Sequence, residues 1–202
     1  MRRKTLDALL ASTGAVIALV LLAAGGLLTW ASSYIDTQVH DQLAMQDITM
    51  PATDALETDA QHKALDQYAG EQMTTGDQAK AFADHYILVH MNAASGGRTY
   101  EEVSGEFMAM SQDKNADADE VAELGQLRQT LFMGNTLRGL LLNAYAFATM
   151  GEIAGYAAIA SFGGAAVLIL LVGAGFVHMR RTSPEAEVGV PHQKRTLAGA
   201  GV

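Results

Sequence analysis

Hydrophobic positions in this chain form two unbroken runs, separated by a long stretch in which they recur at helical spacing. Residues 8–30 carry no charge, and neither do residues 153–177. Each run is long enough to cross the hydrocarbon of a bilayer, which takes about 20 apolar residues. The second run ends a longer segment: residues 124–177 contain no proline and pass from amphipathic to almost wholly apolar. As one helix this segment extends roughly 80 Å, about twice a membrane span, so the pattern predicts a stalk and a span in one helix. Trp30 and Tyr34 close the first run, where aromatic rings suit a membrane interface. The rival reading of the first run is a cleaved signal peptide, because Thr29, Trp30 and Ala31 loosely imitate a small-residue cleavage site. The run exceeds the roughly 7–15 apolar residues of a signal peptide, and Trp30 is bulky beside such a cut. A retained span is therefore expected.

Between the runs the period is helical throughout. Ile35, Val39, Leu43 and Gln46 recur at spacings of four, four and three, which predicts that the first span continues outward as an amphipathic helix until Pro51 breaks it. A helix is expected over residues 56–68. Another is expected over residues 77–92, opened by Thr75 with Gln78 three residues later, the spacing of a capping box. Its inward stripe would be Ala79, Phe82, Tyr86, Val89 and His90. Thr99 and Glu102 repeat the capping pattern before Tyr100, Val103, Phe107 and Met110, and the long helix starts near Asp119 with Leu124, Leu127 and Leu131 on one face. The turns fall at Gly70, Gly76, Gly96 and Gly97. The fold class predicted is all-α: two transmembrane helices extended outward into a small extracytoplasmic helical bundle.

Charge sets the orientation. Arg2, Arg3 and Lys4 precede the first run, and Arg180, Arg181, Lys194 and Arg195 follow the second. Residues 31–151 hold six basic against 18 acidic residues. The positive-inside rule then places both termini in the cytoplasm and the acidic middle outside. The organisation expected is a cytoplasmic N-terminus (1–7), a first span (8–30), an extracytoplasmic acidic helical domain (31–151), a second span (152–178) and a disordered cytoplasmic tail (179–202). The net charge of −9 hides this segregation, and it is the acidic surface of the middle segment that disfavours nucleic acid or anionic lipid headgroups as partners, since both need a basic footprint. The absence of cysteine excludes disulfides, thiolate metal sites and cysteine nucleophiles.

Few residues offer chemistry. The linker from Asp113 to Glu120 alternates oxygen ligands in the manner of a calcium loop, but Ala118 stands where the sharp turn needs glycine and Leu124 where the bidentate glutamate belongs. The simpler reading is a solvated linker whose Asp117 caps the long helix. His85 and His90 stand about 140° apart on a regular helix, so they cannot grip one metal; His90 reads as a hydrogen-bonded core residue, and Asp84 with His85 as an exposed pair. On the long helix Arg128, Asn135, Arg138, Tyr145, Thr149 and Glu152 form a polar stripe beside Leu137, Leu140, Leu141, Ala144 and Ala148. Asn143 lies off that stripe and reads as a buried amide fixing helix register, with a binding role second. Glu152 reads as a hydrated or snorkelling carboxylate at the membrane edge. Small residues spaced by four, such as Gly151 and Gly155, Ala160 and Gly164, or Gly14 and Ala18, suit close packing of the spans on each other or on a separate membrane protein.

The segments VHDQLAMQDITMP, YAGEQMTTGDQAKAFADHYI, GRTYEEVS and TLRGLLLNAYAFATMGEIA resemble those of a family of two-span membrane proteins from actinobacteria, whose members are often labelled aromatic ring-opening dioxygenases. The likeness covers roughly residues 1–181 and implies the two-span topology. Ring opening at iron needs two histidines and a carboxylate facing one open site, and the chain presents no such set at recognisable spacing. The function expected is a non-enzymatic accessory or interaction protein of the cell envelope, with the lipid bilayer and a membrane-protein partner or a homo-oligomer as its contacts. A ligand-binding or sensory module is the alternative, and a dioxygenase-like enzyme comes third. No catalytic, cofactor or metal residue is assigned.

Overall fold

The computed structural model describes residues 3–181, and the expected disordered tail falls almost wholly outside them. The described chain is all-α, and among the described residues the sole β-type pairing is an isolated bridge between Thr49 and Gln72. The helices are α1 (Arg3–Ala44), α2 (Asp59–Leu65), α3 (Gly76–Phe82), α4 (Leu88–Ser95), α5 (Tyr100–Gln112) and α6 (Ala118–Arg181). Short 3-10 turns lie at Thr53–Ala55 and Asp66–Tyr68, and a π-turn at Ala83–Ile87 joins α3 to α4. The chain divides into two compact units at Thr29/Trp30 and at Gly155/Tyr156, so α1 and α6 each contribute to both.

The apolar unit contains the first part of α1 and the last part of α6. Both helices are long and apolar enough to cross a membrane, and only 17% and 11% of their most apolar stretches are buried. A core helix of a soluble protein would be covered, whereas here Leu10, Leu19, Leu27, Ile159, Leu170 and Leu171 are bare. Small residues bring the two helices together, the first of the two packings their spacing suited. Ala11, Ala18, Ala158 and Ala165 are buried between them. A Cβ at Gly14 would meet Val172 at 2.9 Å, and one at Gly25 would meet the Phe162 ring at 3.0 Å. Backbones approach closely only where side chains are this small.

The acidic unit, residues 30–155, wraps short helices around α1 and α6. Its core joins Val39 and Leu43 of α1, Leu65 of α2, Ala79 and Phe82 of α3, Met91 of α4, Val103 of α5, and Leu124, Leu131 and Leu141 of α6. Three capping boxes start the short helices. Thr75 accepts from the Gln78 amide at 3.3 Å while Gln78 Oε1 accepts from the Thr75 amide at 3.1 Å. Thr99 and Glu102 do the same for α5, and hydrogen bonds from the Thr99 amide and then its hydroxyl hold the Glu102 carboxyl below its usual range. The third box, Thr58 with Gln61, starts α2 three residues after the expected 56. Leu56 instead closes the preceding 3-10 turn, which is why the helix is shorter than its apolar pattern.

Two further departures have local causes. The outward part of α1 stops at Ala44, well before Pro51, because Asp47 adopts a left-handed conformation (φ 51°) and the Gln72 amide reaches the Ala44 carbonyl at 3.2 Å. The expected helix 77–92 is real in extent but carries the π-turn. One wide turn advances the chain by an extra residue and rotates everything after it. The buried positions therefore run Ala79, Phe82, Ala83, Ile87, Met91 and Ser95, in place of Tyr86, Val89 and His90. His90 is exposed, not a core residue: its Nδ1–H donates to the Tyr86 carbonyl at 2.8 Å and its ring lies 4.3 Å from the Tyr86 ring.

Candidate functional site

The π-turn sets up a charged cluster of the acidic unit. It brings Asp84 under α6, where Arg138 Nη2 donates to Asp84 Oδ1 at 2.8 Å and Arg138 Nε donates to the Ala83 carbonyl at 3.0 Å. Lys80, one regular turn earlier on α3, donates to Asp84 Oδ2 at 2.7 Å and lies 5.3 Å from the Tyr145 ring centre. The Asp84 side chain is 24% exposed, so the expected exposed Asp84 and His85 pair does not describe it. The Lys80 hydrogen bond, then that of Arg138, hold the Asp84 carboxyl below its ordinary range against the opposing effect of burial. The same bond to Asp84 raises Lys80. Both carboxylate oxygens are occupied by cations, which makes this cluster a clamp between α3 and α6 and a poor proton acceptor.

The polar stripe of α6 is thus largely an inward device. Arg128 sits 4.8 Å from the Phe107 ring centre, Arg138 closes the clamp, Tyr145 receives Lys80, and Thr149 bonds back to the Tyr145 carbonyl at 3.0 Å. Asn135 and Glu152 are exposed. Asn143 is exposed too, so it fixes no register within the chain, and Leu140 of the supposed apolar inner face is 61% exposed.

Those corrections uncover a groove. Asn143, Leu140 and Phe147 of α6 and Tyr34, Gln38 and Gln42 of α1 line a cavity of about 390 Å³, and none of its 11 lining residues is charged. The lining holds Leu140 and Phe147 as apolar anchors and four carboxamides, Gln38, Gln42, Gln46 and Asn143, each able to donate and accept. Sequence periodicity did not separate Leu140 from its buried neighbour Leu141, because both fell on one apolar face. The seven-residue recurrence of Met133, Leu140 and Phe147 was the signal available.

A second cavity of about 460 Å³ has the opposite character. Asp36, Asp77 and Glu152 line it with Tyr68, Tyr145 and several hydroxyls, including Ser32, Ser33 and Thr149. Burial first, then the charges of Asp77 and Glu71, raise the Tyr68 hydroxyl above its ordinary value. The linker carboxylates are used locally: Asp113 accepts from the Asn115 amide at 2.9 Å, and Asp117 caps α6 through the Asp119 amide at 2.8 Å. Among the described residues no group of three or more His, Asp or Glu side chains is placed to hold a metal ion. Comparison of the chain with protein-family models, curated proteins and solved structures returns no match.

Proposed function

We propose that this chain is a non-enzymatic integral membrane interaction protein. It crosses the membrane twice with both termini in the cytoplasm, and its acidic helical unit lies outside, where the groove between α1 and α6 seats an apolar helix of a membrane protein. The groove carries the reading: an uncharged, apolar-anchored furrow in a segment with 18 acidic and six basic residues is built for a hydrophobic partner. The basic residues flanking both apolar runs support the orientation. The actinobacterial two-span family is the proposed relationship, taken for its topology alone.

The test is site-specific. In native membranes, a photo-cross-linking residue at Phe147 is expected to give a discrete protein adduct, and the same residue at exposed Glu101 none. In the same cells Lys114→Cys, in a chain with no other thiol, is expected to react with a membrane-impermeant maleimide added from outside. Labelling of Lys114→Cys only after the membrane is opened would overturn the orientation, and the absence of any Phe147 adduct would overturn the interaction.

The acidic cavity favours a second reading, an extracytoplasmic module for a small organic cation held by Asp36, Asp77 and Glu152 against the rings of Tyr68 and Tyr145. Calorimetric titration of the full chain with spermidine is expected to give saturable heat that Asp77→Asn weakens at least tenfold. Identical heats for both proteins would dispose of it.

A further inference from the structure

We propose that the helix seated on this face is α6 of a second copy of the chain, in a parallel, in-register pair closed on Leu140, Asn143 and Phe147. The proposal rests on the membrane-interaction reading above. Its first support is period. Met133, Leu140 and Phe147 recur every seven residues, as do Thr136, Asn143 and Met150, and the two sets alternate at spacings of three and four. That is the a/d spacing of a coiled-coil seam, apolar at every a position and at Met150, and polar at Thr136 and Asn143. Met133, Leu140, Phe147 and Met150 are each at least 50% exposed, so among the described residues no helix occupies the seam.

Three physical arguments choose a second copy over a foreign helix. Copies inserted the same way in one membrane present α6 in the same direction and at the same height, so identical positions face each other. Leu140 then meets Leu140 and Phe147 meets Phe147 across the two-fold axis, as an isologous contact requires. Asn143 falls in the same seam, and an amide that both donates and accepts is matched by its own copy only when the helices are parallel and in register. A foreign helix would have to supply a polar group in that one layer.

Charge points the same way. Between Glu123 and Glu152 the only charged residues are Arg128 and Arg138, both engaged inside the acidic unit. Elsewhere the unit's carboxylates oppose a second copy, whereas the α6 side of this face presents none; on the α1 rim, Asp41 between Gln38 and Gln42 in sequence lies 3.2 Å from His40 Nδ1. The seam from Met133 to Met150 is about 27 Å long; with the neighbouring rim of α1 it covers on the order of 600 Å² per copy, at the low end of specific interfaces. Confinement in one membrane raises the effective concentration and compensates for that modest area.

Single-cysteine variants of the full chain in native membranes test the pair, since the chain has no other thiol. With a short bismaleimide, Leu140→Cys and Asn143→Cys are expected to yield a species of twice the 21.3 kDa chain mass, at least tenfold above Glu101→Cys on α5. Adding Phe147→Glu to Leu140→Cys is expected to abolish the product, with circular dichroism confirming unchanged helix content. Equal yields from Glu101→Cys, or no dimer from either seam variant, would overturn the pair. A photo-adduct of Phe147 with a different membrane protein would also overturn it while leaving the interaction reading standing; no photo-adduct at all would remove both.

Discussion

Replacing Gly76 with valine is expected to destabilise the acidic unit by about 3 kcal/mol, the upper end of what overpacking costs. Gly76 opens α3 directly after its capping threonine, and its role is spatial. A Cβ there would overlap the methyl of Ala148, approach the Cα of Tyr145 to 3.2 Å and the carbonyl of Ala144 to 3.6 Å. None of these atoms is the free end of a flexible side chain, so α3 must move off α6. The helical preference of a non-glycine residue returns at most about 0.5–1 kcal/mol, too little to reverse the sign. Denaturant titration followed by circular dichroism checks it. Gly76→Ala is expected to cost less than Gly76→Val, and Ala148→Gly is expected to recover most of that smaller loss. If Ala148→Gly leaves the loss unchanged, the close approach of the two helices is not what selects glycine.

The clamp around Asp84 gives the second large effect. Asp84→Asn is expected to cost about 2 kcal/mol, because Arg138, 23% exposed, keeps its charge beside Lys80 and loses its counter-ion. The cost lies below that of a fully buried pair, since a quarter of each side chain still meets solvent. Its pH signature has a definite sign. The folded-state pKa of Asp84 is lowered from 3.8, so its contribution is complete above that value and is lost as pH falls through the lower folded pKa. Lys80 is raised from 10.5, so its share is complete below 10.5 and is lost only as pH rises through the higher folded value. Thermal melts from pH 7 down to pH 3 should show the wild type's advantage over Asp84→Asn holding steady and then narrowing only below about pH 4. A constant gap down to pH 3 would contradict the clamp.

Much of the fold was readable because its signals are local. Thr75 with Gln78, and Thr99 with Glu102, announced two helix starts through side chains three residues apart, and the small residues of the apolar runs announced close packing. The π-turn left no such mark. No residue type is reserved for it, yet its extra residue turns His90 outward and brings Met91 into the core, so the stripe read at a constant 3.6-residue period failed beyond Phe82. Arg138 was legible as part of a polar stripe but not as half of a clamp, because its counter-ion lies 54 positions earlier, a distance no periodicity reports. Asn143 was assigned to the interior because it interrupts an apolar run, and Leu140 was grouped with Leu141 on one apolar face because both continue it. A helix with one face against its own domain and another open carries more apolar positions than a single stripe can hold.

The contacts of Arg128 with Phe107 and of Arg138 with Asp84 turn the two charged side chains between Glu123 and Glu152 into the acidic unit, so the open side of α6 presents no charged group of its own there. Salt has no ion pair to weaken on that side, while it does relax the mutual repulsion of carboxylates on the rest of the unit. For the pairing proposed above, higher ionic strength is therefore expected to favour association, not weaken it, the reverse of what a contact built on opposite charges would do.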